Sequence, residues 1–459
     1  ILRFGTSHQM RMILLLVLFA SFGVSVVAGQ RATLLAGPMV GYATETEVAI
    51  WFQVSGPATC RVAYWHSGRP EERSFSRTVT ADPDADGCVT VKLSELPFGK
   101  RFHFELLIDE QPVPRPYAQT FQTQEHWRWR RGAPSFRVAL GSCAYHNDPP
   151  FDRPGRPYGA ATTDIYGVMA RTQPDLMLWL GDNIYLREPD WTSRSGINAR
   201  YRKARENPAL QAFLASTSHY AIWDDHDFGA NDSDWTNPLR EDSLALFKRY
   251  WPNPGAGLPE CAGTFFKFTW GDAEFFMLDD RYHRSPNRAP LDARKTMLGE
   301  RQIQWLVDSL SSSIATFKVI ACGNQILNVG SRHEKMADFP ADRERILKEI
   351  ARRRVSGVFF LSGDRHHSEI VTETIYGPSG GRTLHEFTCS PLLSGLHALG
   401  DESDNPQRVP GCSFDRERNF GLLEFRSAQG QREVALQCFA ADGTLAFEHV
   451  LTEKALLAP

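Results

Sequence analysis

The sequence predicts a β-sandwich followed by a larger layered α/β domain. Residues 30–124 hold short strand patterns between Gly and Pro clusters, with no helical periodicity. Residues 135–459 instead alternate short apolar runs with stretches of helical period, which is the pattern of layered α/β domains. A chain of 459 residues is long enough for both.

The first domain is predicted from runs of β-branched and aromatic residues. Strands are expected at residues 46–52, 60–65, 89–93 and 101–108. Their short spacing is typical of sandwiches of the immunoglobulin or fibronectin III type, which we expect to pack against or position other parts rather than to catalyse. A linker follows at residues 122–134, and its basic cluster at residues 128–131 is interpreted as a solvated surface.

The second domain begins with an apolar run at residues 136–140. Further strands are predicted at residues 176–180, 275–278, 317–321 and 358–361, and helices at 163–172, 208–217, 242–250, 298–310 and 342–353. Residues 421–451 return to strands at 422–425, 433–439 and 445–450, with Asp442-Gly443 as a hairpin turn. We expect these last strands to form the edge of the domain's sheets.

The N-terminus carries a pattern typical of a secretory signal peptide. Arg11 precedes an apolar run at residues 12–27, which ends in small residues suited to cleavage. The run is slightly short for a membrane span, and a retained anchor is the alternative. We therefore expect a signal peptide over residues 1–28, with residues 1–9 as an upstream extension. The mature protein would be exported (periplasmic, cell-surface or secreted) and would have no stable membrane span.

Composition narrows the classes of partner and the redox chemistry. A net charge of −3 and a pI near 6.6 provide no basic field, so specific nucleic-acid binding is not expected. An oxidising compartment permits disulfides among the eight cysteines. Cys60 with Cys88 and Cys412 with Cys438 are candidate pairs, and buried free thiols are the alternative.

Polar clusters follow three apolar runs, and the first is Gly181-Asp182-Asn183-Ile184-Tyr185. It comes directly after residues 176–180, and the carboxyl ends of strands in open α/β sheets form the mouth of a site. The carboxylate of Asp182 could bridge two cations, and the phenolate of Tyr185 suits a hard trivalent ion. The alternative is that Asp182 closes a turn and Tyr185 belongs to the core.

The second cluster, Trp223-Asp224-Asp225-His226-Asp227, places three carboxylates within four positions. Such carboxylates repel one another unless cations or partners compensate, and an imidazole among them serves as acid or base. Asn231 follows shortly behind this cluster. The alternative is a loop with helix-capping aspartates.

The third cluster is Gly363-Asp364-Arg365-His366-His367. An extended backbone would point Asp364 and His366 to the same side, and a neutral imidazole is a good metal ligand. Cys143 follows the first strand of the domain, where a neighbouring metal would make it a thiolate. An inert buried thiol is the alternative for Cys143.

Three strand ends with these side chains favour a site for two cations, which polarise a phosphoryl oxygen and activate a water when they lie about 3.5–4 Å apart. The sequence has no GxxxxGK[ST] P-loop and no GxGxxG after a first strand. One GxSxG match, at residues 377–381, has the Gly and Pro content of a hairpin loop rather than of a nucleophile elbow. Nucleotide-cradle enzymes and serine hydrolases are therefore disfavoured.

Taken together, these motifs resemble those of the PhoD-type alkaline phosphatases, a branch of the calcineurin-like metallophosphoesterases. The matching segments are Gly141-Ser142-Cys143, Gly181-Asp182 with Tyr185, Trp223-Asp224-Asp225-His226-Asp227, Leu278-Asp279-Asp280-Arg281, Leu298-Gly299 with Gln302 and Trp305, Gly323-Asn324-Gln325, and Gly363-Asp364-Arg365-His366. Their order and spacing cover residues 136 to about 395. The preceding β-sandwich is similar to the family's N-terminal domain.

The resemblance implies a four-layer α/β core of two sheets flanked by helices, with a dinuclear or multinuclear metal centre. It assigns Asp182 to a bridge between metals, Asp364 to the second metal, and an iron-like site to Cys143, Tyr185 and His366. In the second cluster Asp225 replaces the usual ligand Asn, and Asn231 is a rival ligand. Ferric iron and calcium are the implied metals, with other divalent ions as alternatives.

The implied activity is metal-dependent hydrolysis of phosphoesters, in which a metal-held hydroxide attacks in line. His226 would protonate the leaving alkoxide or steady its charge, Arg365 would help neutralise the phosphate, and Asp227 is the third catalytic candidate. Two alternatives stay open. One is a phospholipase-like or cell-surface-polymer phosphodiesterase on the same fold, and the other is a non-catalytic surface-binding protein with a degenerate site.

Overall fold

The computed structural model describes residues 31–292, 294–378 and 380–457. The predicted signal peptide, its upstream extension and the alternative anchor all lie outside the described residues. Within the described ranges, the helices lack the length and apolar character needed to cross a bilayer.

The first part of the described chain consists of two antiparallel sheets packed on a shared core. Its strands are β1 (Leu34–Ala43), β2 (Val48–Val54), β3 (Thr59–His66), β4 (Ser74–Phe75), β5 (Val79–Thr80), β6 (Cys88–Leu93), β7 (Arg101–Ile108), β8 (Gln111–Val113) and β9 (Thr120–Gln122). One sheet has the order β1-β2-β6, and the other has the order β4-β3-β7-β8, with β5 paired to β3 and β9 to β7. In β6, buried Val89, Val91 and Leu93 alternate with exposed Thr90 and Lys92, as expected of a sheet with one solvated face. The predicted β-sandwich is confirmed.

The remainder of the chain forms two larger sheets and the helices around them. The strands are β10 (Phe136–Gly141), β11 (Leu176–Leu180), β12 (Ser218–Ile222), β13 (Phe266–Trp270), β14 (Ala273–Met277), β15 (Phe317–Ala321), β16 (Val358–Ser362), β17 (Ser368–Gly377), β18 (Gly380–Thr388), β19 (Arg408–Phe414), β20 (Asn419–Ala428), β21 (Gln431–Ala440) and β22 (Leu445–Thr452). The helices are α1 (Ile165–Arg171), α2 (Arg194–Arg205), α3 (Pro208–Leu214), α4 (Asp225–Phe228), α5 (Arg240–Tyr250), α6 (Glu300–Ser312) and α7 (Pro340–Arg352). The sheet orders are β12-β11-β10-β20-β21-β22 and β13-β14-β15-β16-β18-β17-β19.

The alternation of side chains along β11 shows how the layers form. Leu176, Leu178 and Leu180 enter the core shared by the two large sheets. Met177 and Trp179 point the other way and pack with side chains of α1, α2, α3 and α5. On the second sheet, Ile320 packs with α6 and α7, while its neighbours Val319 and Ala321 face the first sheet. The result is the predicted four-layer arrangement of helices, sheet, sheet and helices.

The last strands, predicted at a sheet edge, extend from the middle of the first large sheet to its edge. β20 pairs antiparallel with β10, and β21 and β22 continue outward from it. The described residues from Ala32 onward pack as one compact unit. The domain boundary expected between residues 124 and 135 therefore stays a prediction.

The candidate disulfides, Cys60 with Cys88 and Cys412 with Cys438, are not present in the structure. Cys60 is in β3 and Cys88 in β6, while Cys412 is in β19 and Cys438 in β21. All eight cysteines are free thiols. The alternative of buried free thiols is the one that the structure supports.

Arg432 connects the two large sheets through an ion pair shielded from water. From β21 it donates to Asp272 in the β13–β14 turn, over 2.6 Å from Nη2 and 2.8 Å from Nε. Nη2 also donates to the carbonyl of Pro134 over 3.0 Å. The side chain of Asp272 is only 2% exposed, so its charge depends on this partner.

We expect Arg432→Met to lower the free energy of unfolding by about 3 kcal/mol, because Asp272 would stay buried without a counter-charge. Urea unfolding followed by circular dichroism measures this. Arg426→Met is the matched control, since Arg426 is 34% exposed and its ion pairs contribute less than about 1 kcal/mol. Equal losses in the two variants would contradict this account of Asp272.

Candidate metal centre

The carboxyl ends of parallel strands from both large sheets meet at one place. β10, β11 and β12 run parallel in one sheet, as do β14, β15 and β16 in the other. Gly363, directly after β16, makes this approach possible. A Cβ added at Gly363 would lie 2.6 Å from the Cβ of Ser142 and 2.7 Å from the carbonyl oxygen of Leu180. Only glycine fits at this contact between the two sheets.

The backbone is unusual at the residues predicted to bind metal. Cys143, Asp182, Asp364 and His366 have φ values of 59°, 52°, 64° and 58°, in the left-handed region that non-glycine residues rarely adopt. The extended backbone predicted for Asp364 and His366 is therefore wrong, because each of them turns the chain instead. Such conformations are costly and persist where the surroundings hold them, often at functional sites.

Cys143, Asp182 and His366 form the first of three ligand groups. One ligand atom from each lies within 4.8 Å of the other two, and all three residues are buried. The Sγ of Cys143 is 3.6 Å from Oδ2 of Asp182, and the hydroxyl of Tyr185 is 3.2 Å from Nε2 of His366. A thiol, a phenol, an imidazole and a carboxylate thus meet, as the sequence predicts for one metal.

Asp182 and Asp225 connect this group to the other two. Asp182, Asp225 and His226 form the second group, and Asp225, Asp232 and Glu334 form the third. The backbone N–H of His226 donates to Oδ1 of Asp182 over 3.2 Å, and that of Asp232 donates to Oδ2 of Asp225 over 2.7 Å. Since each shared carboxylate has two oxygens, this arrangement could hold neighbouring cations with a common ligand.

Most of the predicted site residues line one cavity of about 360 Å³. The predicted residues in its wall are Asp182, Asp225, His226, Asn231, Asp364, Arg365 and His366. Arg365 is 3% exposed and donates to Oε1 of Glu402 over 2.8 Å. Asn231, the rival ligand, lies at the exposed side and donates to Oδ1 of Asp232 over 2.7 Å.

Three predicted site residues, Cys143, Tyr185 and Asp227, are not in the described wall of this cavity. Asp227 binds the backbone instead. Its carboxylate accepts hydrogen bonds from the backbone N–H groups of Asn183 and Asp224. Asp224 and Asp227 form a capping box at the start of α4. The helix-capping alternative therefore describes these two aspartates, whereas Asp225 and His226 face the cavity.

Burial of so many acidic groups shifts their proton affinities. Burial, reinforced by the charges of Asp225, Asp227 and Asp364, raises the pKa of Asp182 well above its ordinary value. Burial and the charge of Asp225 raise the pKa of Asp364 to about 7. Burial and Asp182 also raise the pKa values of the Cys143 thiol and the Tyr185 phenol. A bound cation reverses these shifts, and this donor set fits one.

Arg281 supplies the fixed positive charge beside the acidic groups. Its guanidinium is fully buried and donates to Oδ1 of Asp224 and, over 2.6 Å, to Oε2 of Glu334. Arg284 donates to the other oxygen of Glu334 over 2.7 Å. Although burial opposes ionisation, the charges of His226 and Arg281 lower the pKa of Asp225.

His366 is oriented by groups that the sequence motifs do not include. Its Nδ1 donates to the carbonyl of Gly395 over 2.7 Å, which leaves Nε2 facing Tyr185. Its backbone N–H donates to Oγ of Ser390 over 2.9 Å, and that hydroxyl donates to Sγ of Cys143 over 3.1 Å. Partners of this kind fix the tautomer and direction of a metal-binding imidazole.

Glu334, Tyr158, Ser390 and His397 carried no recognisable signal in the sequence. Glu334, Tyr158 and His397 line the cavity, and each lies in an irregular segment rather than at the end of a predicted strand. The hydroxyl of Tyr158 is 3.1 Å from Nδ1 of His366, and the ring of His397 stacks on that of His366 at 4.3 Å. A signal did exist for Asp232, which follows Asn231 in a very polar run.

We expect Arg281→Met to destabilise the protein by about 3–5 kcal/mol, because Asp224 and Glu334 would lose a buried counter-charge. Thermal unfolding of the purified variant measures the change. Arg301→Met serves as the control, since Arg301 and its partner Glu260 are both more than half exposed. If the two variants unfold alike, Arg281 does not compensate the acidic cluster.

Comparison with solved structures places this geometry among known folds. A structure of PhoD superposes with a TM-score of 0.73 and 19% identity, over 91% of this chain and 91% of that one. A purple acid phosphatase from yellow lupin seeds superposes with a TM-score of 0.64 and 11% identity, over 92% of this chain and 74% of that one. At these low sequence identities, both similarities show a shared fold.

Sequence comparisons agree with the fold. Alkaline phosphatase D of Bacillus subtilis (strain 168) is 28% identical over 303 residues, which are 53% of this chain and 50% of that protein. The match therefore spans about half the length of this curated relative. A domain of unknown function (DUF7800) matches residues 31–126, and the model of the PhoD-like phosphatases matches residues 142–435. The chain belongs to the PhoD-like phosphatase family.

Proposed function

We propose that the protein is an exported, metal-dependent phosphoester hydrolase with a dinuclear or larger metal centre. The observation that carries this proposal is that Asp182 belongs to two groups of ligand atoms, one with Cys143 and His366 and one with Asp225 and His226. All of these residues except Cys143 line one cavity. Membership in the PhoD-like family supports the reaction class. Export is supported by the charged and apolar pattern of residues 11–29.

The ligand types divide the centre into two parts. Cys143, Tyr185 and His366 supply sulfur, phenol oxygen and nitrogen, which suit ferric iron. Asp225, Asp364 and Asn231 supply oxygen atoms, which suit calcium or another hard divalent cation. Asp182 lies between them and would bind both. When bound, the metal ions polarise phosphoryl oxygens and lower the pKa of the attacking water.

His226 is the proposed acid that protonates the leaving group. Its ring stacks on that of Tyr185 at 4.2 Å, and its backbone N–H is bonded to Asp182, so its position is fixed beside the proposed bridge. Its Nδ1 is buried and lacks a hydrogen-bond partner among the described residues. An imidazole in this position can donate a proton to the departing alkoxide or hydrogen-bond to it.

Arg365 and Asp227 are assigned supporting roles. Arg365 lies in the cavity wall, and its ion pair with Glu402 fixes the guanidinium where it could contact a phosphate oxygen. Asp227 is assigned as a positioning residue, because it binds the backbone on both sides of the site rather than the cavity. We further propose that the sandwich at residues 30–124 is a separate domain, and that it positions the catalytic domain at residues 135–459.

Removal of the shared carboxylate tests the proposed activity. Purified protein supplied with iron and calcium should hydrolyse p-nitrophenyl phosphate or its bis ester, and Asp182→Ala should lower the rate by about 10³-fold because both metals lose a ligand. Asp292→Ala, at an exposed acidic position, is the control and should keep full activity. Full activity in Asp182→Ala would mean that the site is misassigned. The ratio of monoester to diester rates also decides the phosphodiesterase alternative.

Metal content tests the division of the centre. We expect Cys143→Ala to lower bound iron by about tenfold while bound calcium changes little, since the thiol belongs to the sulfur-and-nitrogen side alone. Asp225→Ala should show the opposite selectivity. Elemental analysis after gel filtration measures both metals in each variant. Parallel loss of iron and calcium in the two variants would refute this assignment of ligands.

A further inference from the structure

An exposed loop with aromatic and basic side chains lies at residues 125–132. Trp129 at its tip is 88% exposed, which makes it the most exposed large apolar side chain among the described residues. Its φ of 59° lies in the left-handed region, which is rare for a bulky residue. Water contacts nearly the whole indole, so intramolecular packing does not explain the presence of Trp at this position.

The loop also carries a local excess of positive charge. Residues 125–132 contain three arginines, Arg128, Arg130 and Arg131, and one carboxylate, that of Glu125, so their net charge is +2. Glu125 forms an ion pair with Arg131. The guanidinium carbon of Arg128 lies 5.3 Å from the ring centre of Trp127 and 6.0 Å from that of Trp129. This patch contrasts with the net charge of −3 of the whole chain.

A second exposed ring lies on the neighbouring turn. Phe98 is 53% exposed, and its ring centre is 5.2 Å from that of His126. Hydrogen bonds join the turn to the segment that leads into the loop: Gly99 N–H donates to Gln124 over 2.8 Å, and the Thr123 hydroxyl donates to the carbonyl of Pro97 over 2.7 Å. Hydrogen bonds therefore hold the turn that carries Phe98 next to the segment that leads to Trp129.

We propose that these residues, here called the Trp129 surface (Phe98 and residues 127–131), dock the protein on a bilayer that contains anionic lipid. An indole is stable at the level of lipid headgroups, and guanidinium groups beside it are attracted to anionic lipid. Trp129, Arg130 and Arg131 are exposed, as the interpretation of residues 128–131 as a solvated surface requires, and the proposal adds a ligand for that surface. It does not depend on the proposed activity.

Charge distribution favours a membrane over a soluble polyanion. A long polyanion needs a track of cations along the protein, and a chain with a net charge of −3 does not favour such a ligand. A bilayer surface can be bound by one exposed site that combines apolar and cationic side chains. The Trp129 surface has this combination.

Vesicle flotation with the full chain tests the proposal. Protein should float with phosphatidylcholine vesicles that contain one quarter phosphatidylglycerol, and less with pure phosphatidylcholine. Trp129→Ala should lower the partition coefficient about tenfold, and Arg128→Gln with Arg130→Gln should lower it about fivefold per charge at low salt. Tyr376→Ala is the matched control, because Tyr376 is an aromatic residue 79% exposed on another hairpin.

The variants separate this surface from other causes of binding. Any membrane affinity of the apolar segment at residues 12–27 is common to all of them and cancels in the comparison. Equal flotation of wild type and Trp129→Ala overturns the proposal, as does wild-type flotation that is independent of phosphatidylglycerol. If polyphosphate binds the wild type and Trp129→Ala equally well while neither floats, the surface is a polyanion site and the membrane assignment is wrong.

Discussion

The structure depends on the concentration of buried carboxyl groups where two sheets end side by side. Four carboxyl groups there are at most 4% exposed: those of Asp182, Asp224, Asp225 and Asp280. Buried like charges that lie close together cannot all ionise without compensation. Arg281 and Arg284 offset part of this charge from within the protein. Bound metal ions would neutralise the negative charge that the arginines leave. Both the stability of the fold and the proposed chemistry therefore require positive charge beside these carboxylates.

The fold meets this requirement through small local features. Gly363 lets the chain after β16 reach the backbone of β11, and left-handed turns at Cys143, Asp182, Asp364 and His366 redirect the side chains into one cluster. The Ser390 hydroxyl and the Gly395 carbonyl then orient His366 and contact Cys143. Such strain is tolerated because apolar layers on both faces of each sheet hold the strand ends in place.

The sequence predicted the strands well where apolar runs are short and bounded by glycine. β11 and β15 have the predicted bounds, and both are fully buried. The clusters after β11, β12 and β16 were found for the same reason, since a polar run after an apolar run marks a strand end. Helix α2 was missed because its apolar positions, Ile197, Tyr201 and Ala204, are few among charged residues.

What sequence reasoning could not supply depends on contacts between distant segments. Glu334 reaches Arg281 across 53 positions, and His366 depends on Gly395 across 29. The left-handed backbone at Asp364 likewise has no marker in the sequence, because Asp adopts it only where the surroundings enforce it. The cysteines are free in the structure, and whether two thiols lie close enough to pair likewise depends on the tertiary arrangement.

Anomalous X-ray diffraction from crystals of the protein loaded with iron and calcium directly tests whether Asp182 is shared between two metal ions. We expect an iron peak between Cys143, Asp182 and His366, and a calcium site that also contacts Asp182. Metal peaks that lie outside this cluster, or an iron site that lacks Asp182 as a ligand, would contradict it.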